Sequence, residues 1–96
     1  MTKHLVLTGA SSGIGRELAV LAEKAGFHLS ICGRNAQKLA TTIGQLDNQA
    51  ATFNQAFCMT DESAVTAFFK GAEQANGPVD VLINCAGLNN VRLPAD

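Results

Sequence analysis

Leu5-Val6-Leu7-Thr8-Gly9-Ala10-Ser11-Ser12-Gly13-Ile14-Gly15-Arg16 is the stretch that decides how this chain folds. An apolar run enters three glycines spaced Gly-x-x-x-Gly-x-Gly, and an amphipathic pattern begins at once. Such a pattern is a strand, a tight turn and the start of a helix. The first turn of a helix carries N–H groups without intrahelical partners, at the positive end of the helix dipole, and so attracts phosphate. Glycine at these places lets the turn close, lets backbone approach a ligand, and lets the helix pack against the strand. The turn therefore points to the pyrophosphate of a dinucleotide. No Gly-Lys-Ser/Thr is present, which disfavours the P-loop of a nucleotidase.

Working outward, strand and helix patterns alternate along the chain. Strands are expected at His4–Leu7, His28–Cys32, Phe53–Cys58 and Val79–Asn84. A first helix over Gly13–Ala25 places Ile14, Leu18, Leu21, Ala22 and Ala25 on one face, and Gly26 ends it. A second follows the N-cap Asn35 and carries Leu39, Ile43 and Leu46. A third follows Asp61 and carries Val65, Phe68, Phe69 and Ala72, until Asn76-Gly77-Pro78 breaks it. The tail from Leu88 to Asp96 has no clear periodicity.

This alternation predicts an α/β fold, a Rossmann-like parallel sheet with right-handed crossovers and flanking helices. The fourth strand, with Val81-Leu82-Ile83, is continuously apolar, as an interior parallel strand is. The third carries Asn54 and Gln55, as an edge strand does. The order 3-2-1-4 fits this, with strand three at one edge and strand four awaiting a neighbour that these residues do not encode, and it puts the topological switch between strands one and four. The loops Gly9–Gly15 and Asn84–Gly87 then flank one crevice, the place where open α/β sheets bind ligands.

Composition narrows the function classes. At 96 residues the chain is at most one small domain, and with 47% apolar and 16% charged residues it is globular rather than disordered. A net charge of −1 with no basic run gives no support for nucleic acid or an anionic membrane surface. No apolar stretch is long enough to span a bilayer, and Met1-Thr2-Lys3-His4 leads straight into the first strand with no room for a signal peptide. A cytoplasmic location is the resulting expectation. Cys32, Cys58 and Cys85 are far apart, each at the end of an expected strand, and read as buried, reduced thiols. His4 and His28 read as strand-start residues, and no metal site is expected.

Together, Thr8-Gly-Ala-Ser-Ser-Gly-Ile-Gly15 and Asn84-Cys-Ala-Gly87 resemble the TGxxxGIG and NNAG motifs of the short-chain dehydrogenase/reductase family, at family-like separation. The resemblance covers essentially the whole chain, residues 1–96, as the family's N-terminal half. It implies that Gly9, Ser11, Ser12, Gly13, Ile14 and Gly15 line the pyrophosphate and adjacent ribose. It implies that Asn84, Ala86 and Gly87 border the nicotinamide-side ribose, with Asn84 also tying the central strands together. Cys85 replaces the motif's second asparagine. Cys58 and Met59 stand where the family carries Asp-Val, so the adenine pocket is expected to rely on their backbone groups.

Cofactor choice in this family is set after strand two. An acidic residue there favours NAD by binding the adenosine 2′-OH, but this chain has Cys32-Gly33-Arg34-Asn35. Gly33 leaves room and Arg34 can pair with a 2′-phosphate, so NADP(H) is preferred and NAD(H) is possible. The family's reaction transfers hydride between nicotinamide and a carbonyl or alcohol, with a Tyr, a Lys four residues on and a Ser. The chain has no tyrosine, so no catalytic residue is assigned and the chain alone is expected to be inactive. The implied oxidoreductase has an alternative, a non-catalytic dinucleotide-binding or interaction module. A small carbonyl or alcohol substrate belongs to a longer parent only. Self-association through the unpaired edge of strand four is a further expectation.

Overall fold

The computed structural model describes residues 3–11 and 13–85. Four strands, β1 (His4–Thr8), β2 (His28–Gly33), β3 (Phe53–Ala56) and β4 (Val81–Asn84), alternate with α1 (Gly13–Lys24), α2 (Ala36–Gly44) and α3 (Glu62–Asn76). The strands form one sheet in the order β3-β2-β1-β4, every pair parallel, as the apolar patterning predicts. A short 3-10 turn at Gln49–Ala51, which the periodicity does not signal, precedes β3.

The register assigns the two faces. Leu5 and Leu7 of β1 align with Leu29 and Ile31 of β2 and with Val81 and Ile83 of β4. These six share one apolar cluster with Ala19 of α1, Leu39 of α2, and Leu46 just past α2. On the other face Val6 and Cys32 meet Phe68 of α3. The Phe68 ring, fully buried, touches Phe53, Phe57 and Phe69 at centroid separations of 5.7, 5.6 and 5.5 Å. Both helix caps expected from sequence are made: Asn35 Oδ1 accepts from the Lys38 N–H at 2.9 Å, and Asp61 Oδ1 from the Ala64 N–H at 3.1 Å.

Two expectations need correction. Ile14 and Leu21 are not core residues: they are 55% and 59% exposed, and α1 is buried through Gly15 and Ala19 instead. Two small residues four apart bring the helix close to the sheet, while the larger side chains seven apart lie along its open flank. As the order 3-2-1-4 implies, β4 is an edge among the described strands: it pairs with β1 alone, and Leu82 is 55% exposed. β3 ends at Ala56, so Cys58 lies beyond the strand and is exposed, unlike buried Cys32 and Cys85.

At the end of the sheet where β1, β2 and β4 begin, a hydrogen-bonded relay pins the layers. Asn76 Nδ2 donates to Ser30 Oγ at 3.1 Å, and Ser30 Oγ and His4 Nε2 are 2.6 Å apart. His4 Nδ1 lies 2.9 Å from the Gly77 carbonyl, which only accepts, so the ring proton belongs on Nδ1. Asp80 and His4 exchange two further bonds: the His4 N–H donates to Asp80 Oδ2 at 2.8 Å, and the Asp80 N–H to the His4 carbonyl at 2.9 Å. Asp80 is thus structural, as its position before the strand suggests.

Candidate functional site

The topological switch lies between β1 and β4: α1, which follows β1, and α3, which leads into β4, pack on opposite faces of the sheet. The ends of these strands are tied side by side. Thr8 Oγ1 donates to Asn84 Oδ1 at 2.6 Å, and the Cys85 N–H donates to the Thr8 carbonyl at 3.0 Å. Asn84 thus joins β1 to β4 as expected. The glycine turn and the end of β4 are brought to one edge of the sheet.

The turn has the backbone its glycines allow. Gly9 has φ 73° and Gly13 φ 60°, values that residues with a Cβ rarely adopt. Positive φ at both glycines is what lets the backbone reverse between the end of β1 and the start of α1. Gly15 presses on the turn so closely that a Cβ there would run into the Gly9 carbonyl oxygen. The Ala10 N–H is already committed to the Cys32 carbonyl of β2 at 2.9 Å, and Ala10 is fully buried. Ser11 lies against the end of β2: a Cβ on Gly33 would stand 2.8 Å from Ser11 Oγ. The room expected above Gly33 is therefore filled by the Ser11 side chain. Ile14 presents an exposed side chain in the first turn of α1. Ser12, Ala86 and Gly87 lie outside the described residues.

Beyond β2, Arg34 is exposed and its guanidinium acts on the Cys58 thiol past the end of β3. The strongest influence on that thiol is the Thr60 hydroxyl, 3.0 Å away. The backbone of Thr60 and the charge of Arg34 add to it, and together they lower the Cys58 pKa from its ordinary value. Cys32 goes the other way: burial pushes it up to about 11, slightly offset by a hydrogen bond from the Gly9 backbone. Burial raises Cys85 too. The Cys58 carbonyl accepts the Asp61 N–H at 2.9 Å and so helps form the turn before α3. Met59 is half-buried against the α3-side cluster, with its sulfur 4.0 Å from that of Cys32, so its side chain belongs to the core.

Two contributors escape sequence reasoning. Arg16 and Thr42 both bond the glycine turn, and Thr42 reaches the Ala10 carbonyl across 32 positions of sequence. A threonine in an amphipathic helix gives no signal of that reach. Among the described residues no group of His, Cys, Asp or Glu is placed to hold a metal ion, and no helix is long and apolar enough to cross a membrane.

Residues 3–95 match the family described as short chain dehydrogenase. The chain belongs to the short-chain dehydrogenase family. Within it, the chain is 35% identical over 92 residues to 3-ketodihydrosphingosine reductase of Bos taurus, covering 90% of this chain and 28% of that protein. Among solved structures, this short-chain dehydrogenase chain superposes on an F189W actinorhodin polyketide ketoreductase with NADPH. The TM-score is 0.80 at 30% identity, covering 86% of this chain and 32% of that one. A 3-ketoacyl-(acyl-carrier-protein) reductase from Brucella melitensis complexed with NADH is similar as well. Its TM-score is 0.76 at 28% identity, covering 83% of this chain and 32% of that one. The chain spans well under half the length of the curated relatives it matches.

Proposed function

We propose that this short-chain dehydrogenase chain binds a nicotinamide dinucleotide in the crevice between β1 and β4, and prefers NADP(H) to NAD(H). The observation that carries the reading is the joined pair of motifs. The end of β1, where the glycine turn begins, and the end of β4 are held together by the Thr8–Asn84 hydrogen bond. Gly9, Gly13 and Gly15 supply the backbone cradle for the pyrophosphate, with Ser11, Ser12 and Ile14 around it. Asn84, Ala86 and Gly87 border the nicotinamide side, and Cys58 and Met59 the adenine. The exposed guanidinium of Arg34, just past β2, supports preference for a 2′-phosphate.

The bound cofactor supplies hydride chemistry, and a longer parent protein would use it to interconvert a carbonyl and an alcohol. Residues 1–96 are then the cofactor-binding part of that parent, and the catalytic half lies elsewhere. With no tyrosine, the chain alone binds and does not reduce carbonyls. The test is titration of the chain with NADPH and NADH. Tighter binding of NADPH, reduced to the NADH level by Arg34→Ala, supports the proposal. Equal affinities, or no effect of Arg34→Ala, refute the preference. Turnover of a carbonyl substrate by the purified chain refutes the division of labour.

The β4 edge adds a second element. Among the described residues β4 is an apolar strand paired on one side only, and with exposed Leu82 it favours self-association of the chain. Sedimentation at increasing concentration tests this, and a monomer throughout counts against it.

A further inference from the structure

A cation stands behind the glycine turn, and its partners there are all neutral oxygens. Arg16 Nε donates to Thr42 Oγ1 at 2.9 Å, and Arg16 Nη2 donates to the carbonyls of Ser11 at 2.5 Å and Lys38 at 3.1 Å. Thr42 is fully buried, and its single hydroxyl proton has two carbonyls in range: Ala10 at 2.6 Å and Lys38 at 3.4 Å. The shorter, better bond goes to Ala10. Consecutive carbonyls of the turn, Ala10 and Ser11, are thereby drawn toward α2 by a hydroxyl and a guanidinium that also hold each other.

Holding a carbonyl fixes more than the oxygen. The peptide unit is planar and trans, so a carbonyl drawn to one side points the next residue's N–H to the other. The Ala10 carbonyl bound to Thr42 sets the direction of the Ser11 N–H. The same two residues join the turn to α2, whose N-cap Asn35 directly follows Arg34. The phosphate-binding turn and the arginine assigned to the 2′-phosphate are thus mounted on one braced unit.

We propose that Arg16, acting through Thr42 and the carbonyls of Ala10 and Ser11, is the positioning residue of the turn, and that its forked geometry rather than its charge sets cofactor affinity. This rests on the reading of the crevice as a dinucleotide site. Arg16 acts here as a brace: its Nε and Nη2 donors are committed to protein oxygens. A lysine preserves the charge but cannot place two nitrogens on separate acceptors in a fixed plane.

The test compares Arg16→Lys, Thr42→Val and Thr42→Ser with the parent chain, by NADPH titration and by amide hydrogen exchange at Gly9–Ser11. Circular dichroism serves as the folding control. Arg16→Lys and Thr42→Val are each expected to weaken NADPH binding about tenfold, the equivalent of one lost charge-assisted hydrogen bond. Both should speed exchange at Ser11. Thr42→Ser, which keeps the hydroxyl, restores parental values in both measurements. If Arg16→Lys does not fold, the Thr42→Val and Thr42→Ser pair carries the same comparison. NADPH affinity of folded Arg16→Lys equal to the parent's overturns the inference, since charge alone would then suffice. A parent chain that binds no NADPH refutes the dinucleotide reading, and exchange then decides the bracing by itself: unchanged exchange at Ser11 in Arg16→Lys and Thr42→Val overturns it.

Discussion

Gly33 lies directly against Ser11: a Cβ built on Gly33 would stand 2.8 Å from Ser11 Oγ and 2.9 Å from Ser11 Cβ. The two positions are therefore one steric unit. In the family this chain resembles, an acidic residue after β2 favours NAD. Gly33→Asp alone would place its Cβ in the volume Ser11 occupies. We expect Gly33→Asp to weaken binding of both cofactors and to cost about 1–3 kcal/mol of stability by overpacking. Adding Ser11→Gly should relieve the overlap and shift preference toward NADH. Titrations with both cofactors and denaturant melts of the single and double variants check this.

Gly15→Ala tests the cradle itself. The new methyl meets the Gly9 carbonyl, a backbone group with no rotamer to move aside. The expected result is a loss of about 2–4 kcal/mol in urea unfolding and NADPH binding weakened more than tenfold. Parental affinity and stability in Gly15→Ala would show that the turn and α1 can separate freely.

The three thiols should react in a definite order. Cys58 is exposed and its pKa is lowered, so its thiolate forms at lower pH than that of an ordinary cysteine. Buried Cys32 and Cys85 have raised pKa values and stay protonated. Alkylation by iodoacetamide at pH 7, located by peptide mass, should label Cys58 first. Saturating NADPH should slow that labelling if the adenine lies beside Cys58. Arg34→Ala should shift the pH profile of labelling upward.

Cys32 makes stability fall in alkali. Its folded pKa, about 11, lies above that of the unfolded thiol, so the fold favours the protonated form. That contribution is fully present below the unfolded pKa, about 8.5, and is lost as pH rises through the folded value. Between roughly pH 8.5 and 11 the loss is about 3 kcal/mol. Urea unfolding across that window checks it, and Cys32→Ala should flatten this part of the profile.

Much of the fold is legible in the residues because periodicity reports faces and glycines report turns. The polar Asn54 and Gln55 identify β3 as an edge, and the Asn35 and Asp61 caps stand where the sequence puts them. Periodicity does not report what covers a face. Ile14 and Leu21 have the spacing of core residues, yet lie along an open flank because the sheet is approached through Gly15 and Ala19. Cys58 resembles Cys32 and Cys85 in sequence, but the strand before it stops at Ala56. At the site, the glycines and Asn84 are readable from spacing. The bracing by Arg16 and Thr42 is not, because it depends on α2 coming back to the turn.

The Thr8–Asn84 bond also sets a timetable. It joins residues 76 positions apart, at the strand in the middle of the order β3-β2-β1-β4. β1 emerges first from the ribosome and finds β2 within a few dozen residues, but its other edge stays unpaired until residues 81–84 are made. Non-local parallel pairing closes slowly, and an unpaired strand edge is where nascent chains meet the wrong neighbour. Among the described strands, the junction of β1 with β4 is therefore the last to form during synthesis.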